Sequence, residues 1–259
     1  MRLFFSQSAA MMTGVGIPVC YDTPTGCTPT CGAAFGEDVL AIPDPTAYKK
    51  LILDLPAAKL LTERGIDVGL LETEQAQTPY RECFGKELVL LTGIGKGAPY
   101  ASLGGFCRIG LKEGAFVEST FQSDSGEFPA SYLYNNGKTE FLVLAFDALA
   151  VGESSTLFIS YCRQNQLMNF IGNPYPSIRK QPHIYTLCAE SSDGNTQAVL
   201  FENLGTDIVF DFTIDLSREC ETFSLAGAKG RLSEDRRHIC IEDDFVPAAA
   251  LVLEITYRS

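Results

Sequence analysis

The most informative segment of the chain reads Phe128-Pro-Ala-Ser-Tyr-Leu-Tyr-Asn-Asn-Gly-Lys-Thr-Glu-Phe-Leu-Val-Leu-Ala-Phe-Asp147. It predicts a hairpin with arms at residues 131–134 and 140–146, because Asn135-Asn136-Gly137 supplies the positive φ angles that a tight turn needs. The second arm contains six consecutive apolar residues, which is typical of a strand buried on both faces in the middle of an α/β sheet. The segment contains no nucleophile with a neighbouring base, so it predicts the fold of the chain and not a catalytic mechanism.

The composition is that of a folded protein of 259 residues, which is long enough for one large domain or two small ones. Hydrophobic residues make up 46% and charged residues only 20% of the chain, which excludes a disordered protein. The net charge of −12 disfavours nucleic acids and anionic membranes as partners, because both are bound by clustered Lys and Arg. No apolar run approaches the ~20 residues of a membrane span.

The N-terminus and the cysteines favour a cytoplasmic protein. The apolar part of the first ten residues is shorter than the roughly 7–15 residues of a signal-peptide core, so we expect no signal peptide. Nine cysteines are an odd number, and most of them lie in apolar, strand-like runs. We therefore expect buried free thiols in a reducing compartment, and no cofactor.

The first 173 residues alternate between strand and helix patterns, which predicts an α/β domain. Pro56 favours the first turn of a helix, and Gly65 ends the same pattern. Gly172 and Pro174 end a longer helical pattern. The predicted helices are residues 8–13, 57–64 and 155–171. The predicted strands are residues 17–21, 51–55 and 88–91, and two β-rich segments follow them, residues 106–121 and the hairpin.

The second part of the chain has a different character. Residues 174–182 form a proline-rich connector, which we interpret as a linker between domains. Six strand-like runs follow it at short intervals, and no helical pattern is present. Residues 183–259 therefore predict a small antiparallel β-sandwich. The predicted fold class is α/β plus all-β, with domains at residues 1–173 and 183–259.

Cys20, Cys27 and Cys31 form the cysteine cluster that most resembles a metal site. Zinc sites usually contain two pairs of cysteines two to four residues apart, or one such pair with nearby histidines. Only one spacing fits here, and the two histidines, His183 and His238, lie in the second half of the chain. We therefore expect no metal site.

Two further motifs, a glycine-rich segment and a possible catalytic triad, lack residues that their chemistry requires. Residues 93–97 read Gly-Ile-Gly-Lys-Gly, but the lysine is not followed by Ser or Thr, and a strand pattern rather than a helix comes next. We interpret this segment as a surface turn. A Cys-His-Glu amidase triad is excluded as well, because the first domain contains no histidine and no cysteine on a sharp strand-to-helix turn.

Carboxylates and tyrosines are the remaining candidates for a site. Glycoside hydrolysis needs two acids separated by about 5–9 Å, one of them with a raised pKa. Asp147 is the weak catalytic candidate because it ends the buried strand, although a carboxylate there more often caps the following turn. Tryptophan is absent, which counts against a sugar-binding groove with large aromatic stacking faces, although Tyr and Phe can substitute for it. The other acids considered are Glu63, Asp67, Glu72 and Glu74, and the candidate ligand-binding tyrosines are Tyr132 and Tyr134, together with Tyr80 and Tyr100.

Several segments taken in order resemble a glutamine-amidotransferase-like α/β domain. The second strand of such a domain resembles Gly16-Ile-Pro-Val-Cys-Tyr-Asp22. The next strand–helix steps resemble Val39-Leu-Ala-Ile-Pro-Asp44 and Ala57-Ala-Lys-Leu-Leu-Thr-Glu-Arg-Gly-Ile-Asp-Val-Gly69. The closing strands resemble the hairpin, and the helix that follows them resembles Ser160-Tyr-Cys-Arg-Gln-Asn-Gln-Leu167. With a β-sandwich after it, the arrangement is similar to the region that follows the catalytic barrel in β-galactosidase-type glycoside hydrolases with a trimerisation domain. It also resembles uncharacterised bacterial proteins related to them.

The resemblance implies a non-catalytic structural or oligomerisation module. The catalytic barrel of such enzymes has no counterpart here, and neither does the first strand–helix unit of the amidotransferase-like domain, so no catalytic residue is carried over. An incomplete sheet leaves an open edge, so we expect a homo-oligomer or contact with a missing N-terminal catalytic part. Two alternatives stay open: a small carbohydrate-active hydrolase with acids in the interdomain cleft, and a carbohydrate-binding module.

Overall fold

The computed structural model describes residues 7–20, 30–91, 106–151, 157–172 and 174–258. These residues form an α/β portion that is followed by a portion made of strands, so the predicted fold class is confirmed. No helix within the described ranges is long and apolar enough to cross a membrane.

The α/β portion is built on a seven-stranded mixed sheet with the order β2-β3-β10-β9-β8-β5-β6. Strands β2, β3 and β10 are parallel, and the others pair antiparallel. A separate two-stranded ribbon pairs β4 with β7. The strands of this part of the chain are β1 (Val19–Cys20), β2 (Cys31–Ala34), β3 (Lys50–Asp54), β4 (Leu70–Ala76), β5 (Arg81–Phe84), β6 (Glu87–Leu90), β7 (Phe106–Leu111), β8 (Phe116–Ser123), β9 (Gly126–Asn135) and β10 (Glu140–Leu144).

Helices cover both faces of this sheet. Helix α2 packs against Phe141 and Val143 of β10, while α1 and α4 pack against Leu142 and Leu144 on the opposite face. This arrangement explains the continuous apolar run of β10, because every second side chain enters a different core. The helices are α1 (Gln7–Gly14), α2 (Leu55–Glu63), α3 (Ala148–Val151) and α4 (Tyr161–Ile171), with short 3₁₀ helices at Gly36–Ala41 and Pro45–Ala47.

The predicted hairpin is present as β9 and β10, with Asn135 opposite Glu140. Its turn is longer than a two-residue turn, and two asparagine side chains organise it. Asn135 Oδ1 accepts a hydrogen bond from the N–H of Gly137 at 2.8 Å, and Gly137 has a φ of +88°. Asn136 Oδ1 accepts bonds of 3.0 Å from the N–H groups of Lys138 and Thr139. The positive φ that the sequence predicts therefore lies at the glycine.

The strand-rich portion is a two-layer sandwich, as the sequence predicts. A five-stranded sheet with the order β1-β11-β12-β17-β14 packs against a three-stranded sheet with the order β13-β16-β15. The core between them contains Phe201, Phe245 and Leu253. The strands are β11 (Ile184–Glu190), β12 (Thr196–Asn203), β13 (Thr213–Asp215), β14 (Cys220–Ala226), β15 (Gly230–Leu232), β16 (His238–Ile241) and β17 (Ala250–Tyr257).

Two predictions for the N-terminal region are wrong. Strand β1 does not join the α/β sheet, because it pairs in parallel with β11 of the sandwich, with Val19 opposite Leu187. The chain leaves α1 through Gly16, whose φ is +77°, and this turn directs the next residues towards the sandwich. The stretch that begins at Val39 is not a strand either, because its first residues belong to a 3₁₀ helix in which only Val39 is buried. Tertiary contacts override the apolar pattern at both places.

The connector at residues 174–182 packs closely against the sandwich. Tyr175, Ser177 and Ile178 are buried. The backbone N–H and C=O of Ser177 pair with those of Asp215 at 3.0 and 2.8 Å. Gln164 of α4 donates from Nε2 to the carbonyl of Ile178 at 3.1 Å. The connector therefore joins α4 to the sandwich through specific hydrogen bonds.

Candidate functional site at the carboxyl ends of the parallel strands

The carboxyl ends of β2, β3 and β10 meet at one edge of the seven-stranded sheet. An open cleft of about 780 Å³ lies at this edge. Side chains at its wall include those of Asp38, Lys59 and Asp147. Binding sites in α/β sheets form preferentially at this edge, which makes the cleft the candidate functional site.

Asp54 is the buried acid next to the cleft, at the end of β3. Its Oδ1 accepts hydrogen bonds from the N–H groups of Gly36 at 2.8 Å and Ala57 at 3.0 Å, and its Oδ2 accepts one from Ala148 at 3.2 Å. Burial, assisted by the charge of Asp147, raises the pKa of Asp54 to about 7 against the effect of these three hydrogen bonds. Both oxygens are therefore used inside the protein, and none of the residue's surface is exposed.

Asp147, the catalytic candidate from the sequence, does lie in the cleft. Its Oδ1 accepts a hydrogen bond from the N–H of Ala150 at 2.9 Å, and its carbonyl oxygen accepts one from Val151 at 3.1 Å. These bonds satisfy donors in the short helix α3, which is the ordinary role of a residue at a helix start. The carboxylate of Asp147 therefore caps α3.

Asp38, another acid of the cleft, connects α1 to the segment that follows β2. Its Oδ2 accepts hydrogen bonds from the N–H of Ser8 at 2.9 Å and from Ser8 Oγ at 2.6 Å. Ser8 Oγ in turn accepts a bond from the N–H of Phe35 at 2.8 Å, just after β2. Asp38, Asp54 and Asp147 thus each hold a backbone segment in place, whereas Glu37, which also lines the cleft, is exposed.

The other acids from the sequence lie away from the cleft. Glu63 is exposed at the end of α2, and Glu72 and Glu74 are exposed on β4. Asp67 forms an ion pair of 3.0 Å with Lys112. The structure therefore does not bring these acids together with Asp147.

Two of the candidate tyrosines, Tyr132 and Tyr134, form hydrogen bonds within the protein. Tyr132 is completely buried, and its hydroxyl donates to the carbonyl of Val68 at 3.0 Å. Tyr134 donates to Asp67 Oδ2 at 2.9 Å. Tyr80 is exposed at the start of β5, with the guanidinium of Arg81 5.6 Å from its ring centre. Tyr100 lies outside the described residues.

The cysteine cluster is divided between two sheets. Cys20 lies in β1 of the sandwich sheet, Cys31 lies in β2 of the α/β sheet, and Cys27 lies outside the described residues. Burial raises the pKa of Cys31 to about 12, so its thiol is protonated at neutral pH. The described ranges contain no group of three or more His, Cys, Asp or Glu side chains that would hold a metal ion. The glycine-rich segment at residues 93–97 also lies outside them.

A buried ion pair that the sequence analysis missed holds α4 on the sheet. Arg163 Nη2 donates to the two carboxylate oxygens of Glu82 at 2.8 and 2.7 Å, and both side chains are almost fully buried. Burial raises the pKa of Glu82 and lowers that of Arg163, and each charge opposes the shift of the other. The guanidinium also lies between the rings of Phe84 and Phe146, with centroid distances of 5.1 and 5.2 Å.

Neutral side chains complete this buried network. Ser119 Oγ donates to Glu82 Oε1 at 2.6 Å. Gln166 accepts a bond from Arg163 Nη1 and donates to Ser131 Oγ at 2.6 Å. The network therefore connects α4 with β5, β8 and β9, and its burial makes it a structural feature rather than a binding site.

Comparison with known proteins gives a likeness of fold only. No protein-family model and no curated protein matches the chain. An α-L-fucosidase from Paenibacillus thiaminolyticus matches 83% of this chain and 42% of its own, with 10% identity and a TM-score of 0.48. A β-galactosidase from Halorubrum lacusprofundi matches 95% and 34%, with 10% identity and a TM-score of 0.41.

A second β-galactosidase, from Bacillus circulans sp. alkalophilus, matches 82% of this chain and 34% of its own, with 10% identity and a TM-score of 0.37. The chain therefore spans less than half the length of each of these glycoside hydrolases. At these identities and TM-scores the likeness assigns no activity, substrate or partner to the chain.

Proposed function

We propose that the chain is a non-catalytic structural module of a glycoside-hydrolase-like protein. The observation that carries the proposal is that Asp147 and Asp54, two acids at the cleft, form hydrogen bonds with backbone N–H groups at the starts of helices. Asp147 caps α3, and Asp54 fixes the starts of two helices with both of its oxygens. A glycosidase needs two acids that reach one substrate, and Asp54, the acid with the raised pKa, is completely buried.

The module is proposed to act by association with a second copy of itself. Strand β6 lies at one edge of the seven-stranded sheet, and within the described part of the chain it pairs only with β5. Leu88 and Leu90 of this strand are 48% and 59% exposed. They are two residues apart and lie on the same face of the strand. An exposed apolar edge strand is a natural site for pairing with an identical strand about a two-fold axis.

The link to glycoside-hydrolase-like proteins rests on the sequence motifs that resemble the region after their catalytic barrel. A missing N-terminal catalytic part is the other partner that the resemblance implies. An assembly of that kind would place the catalytic chemistry outside this chain.

Hydrolysis of a panel of aryl glycosides tests the non-catalytic role. We expect no turnover above the uncatalysed rate with the purified chain. Asp147→Asn is the diagnostic variant, because its amide oxygen can still accept the bond from Ala150. Asp124→Asn, which changes an exposed acid in the turn between β8 and β9, is the matched control. Turnover that Asp147→Asn abolishes and Asp124→Asn retains would overturn the proposal.

A further inference from the structure

A second concave site lies in the sandwich, where the connector after α4 meets the loop after β12. It is a pocket of about 370 Å³, within the range of roughly 300–1,000 Å³ that is typical of small-molecule sites. Its polar lining comes from Gln181, His183, Thr206 and Asp207, and Leu204 belongs to its apolar lining. None of these side chains has a role in the cleft of the α/β portion.

The backbone of His183 has an unusual conformation in the wall of this pocket. Its φ is +78°, a value that residues other than glycine rarely adopt. The N–H of His183 donates to the carbonyl of Gly14 at 3.2 Å, and its carbonyl accepts a bond from the N–H of Leu204 at 3.0 Å. Contacts on both sides therefore fix the backbone that carries the imidazole. Unfavourable backbone conformations of this kind concentrate at functional sites.

The loop on the other side of the pocket is fixed by Asn203. This buried side chain donates from Nδ2 to the carbonyl of Asp207 at 3.0 Å and to the carbonyl of Phe245 at 2.8 Å. Its Oδ1 accepts a bond from the N–H of Gly205 at 2.9 Å. A Cβ at Gly205 would lie 3.1 Å from Asn203 Oδ1 and 3.6 Å from His183 Cβ. The wall is therefore preorganised, which lowers the entropy cost of binding a ligand.

The pocket offers hydrogen-bond donors and acceptors, and Asp207 is the one charged side chain among the described residues that line it. The loss of hydration in the pocket lowers the pKa of His183, against the charge of Asp207, so its imidazole is neutral at pH 7 and both donates and accepts. Asp207 accepts only, whereas the Thr206 hydroxyl and the Gln181 amide do both. An anion is disfavoured by Asp207 and by the net charge of −12. Pro182 and Leu204 supply apolar surface beside these polar groups.

We propose that this pocket binds a neutral pyranose sugar. The hydroxyl groups of a sugar match the mixed donors and acceptors of His183, Thr206 and Asp207, and its C–H face matches Pro182 and Leu204. The carboxylate of Asp207 accepts from two neighbouring hydroxyls, which is a geometry that sugars provide and simple alcohols do not. This binding requires neither association nor catalysis, so it is independent of the proposed structural role.

Ligand-observed NMR and calorimetry with D-galactose, D-glucose and N-acetyl-D-glucosamine test the proposal, with propylammonium chloride and sodium acetate as a cation and an anion probe. We expect saturable, weak binding of at least one sugar and none of the two ions. His183→Gly removes the imidazole while glycine adopts the positive φ readily. The variant is therefore expected to unfold at the same or a higher denaturant concentration and to bind the sugar at least tenfold more weakly.

Asp207→Asn supplies an independent variant that keeps the shape of the pocket, and it is also expected to weaken sugar binding. Asp244→Asn, an exposed acid outside the pocket, is the matched control and is expected to bind like the wild type. The proposal is overturned if no sugar of the panel binds, if one of the ions binds in preference, or if a bound sugar is unaffected by both His183→Gly and Asp207→Asn.

Discussion

Asp54 at the end of β3 and Ala148 at the start of α3 are joined by a hydrogen bond of 3.2 Å across 94 residues of sequence. The same carboxylate accepts from Gly36 and Ala57, so one side chain fixes the exits of three adjacent parallel strands. The carboxylate of Asp54 therefore joins the three segments that leave the sheet beside the cleft.

The free energy of unfolding is predicted to depend on the protonation of Asp54. Burial raises its pKa from 3.8 in the unfolded chain to about 7 in the folded protein. The folded state therefore holds the proton more tightly, and its contribution to stability is present below pH 4 and is lost as the pH rises through 7. We expect the wild type to lose stability over this range relative to Asp54→Asn, which has no group to titrate. Urea unfolding at a series of pH values measures the difference, and equal slopes for the two proteins would refute the assignment.

Breaking the buried ion pair is predicted to be strongly destabilising. Arg163→Met leaves Glu82 as an uncompensated buried charge, and we expect a loss of roughly 3–5 kcal/mol in the free energy of unfolding. The double variant Arg163→Met with Glu82→Leu is expected to lose less than Arg163→Met alone, because no charge then stays buried. Glu219→Gln, which removes an exposed partner of Arg258, is the control and is expected to cost less than about 1 kcal/mol. Chemical denaturation checks all three values.

Gly16 and Gly65 form a matched pair of glycines with almost equal φ values, +77° and +79°. A Cβ at Gly16 would lie 2.5 Å from Gln164 Nε2, whereas a Cβ at Gly65 meets nothing within 4 Å. Gly65→Ala is therefore expected to cost only the backbone term of about 1 kcal/mol. Gly16→Ala is expected to cost clearly more, because it also displaces the Gln164 side chain that bonds to the connector. Equal losses in thermal or urea unfolding would contradict the packing of α4 against the connector.

The elements that local signals specify could be predicted from the sequence. The apolar run of β10, the Asn-Gly turn and the helix boundaries at Pro56 and Gly172 depend on neighbouring residues, and the structure contains all of them. The pairing of β1 with β11 could not be predicted, because it depends on contacts between residues far apart in sequence.

The candidate site could be predicted only in part, because some of its contacts have a local sequence signal and others join residues that are far apart in sequence. Asp54 precedes a Leu-Pro sequence at the junction of a strand and a helix, which is a recognisable helix-cap signal that the sequence analysis did not use. The partnership of Arg163 with Glu82 spans 81 residues and has no local signal. The positive φ of His183 has no local sequence signal either, and its backbone bonds to Gly14 and Leu204 join segments that are far apart in sequence.

The association of copies through β6 is the part of the account that a single measurement tests most directly. Size-exclusion chromatography with light scattering is predicted to show an oligomer for the wild type at micromolar concentration. The double variant Leu88→Lys with Leu90→Lys is predicted to be a folded monomer, because charged side chains on an edge strand prevent pairing. Leu204→Lys, at an equally exposed leucine of the sandwich, is predicted to retain the oligomer. A monomeric wild type, or an oligomer that survives the double variant, would contradict the proposal.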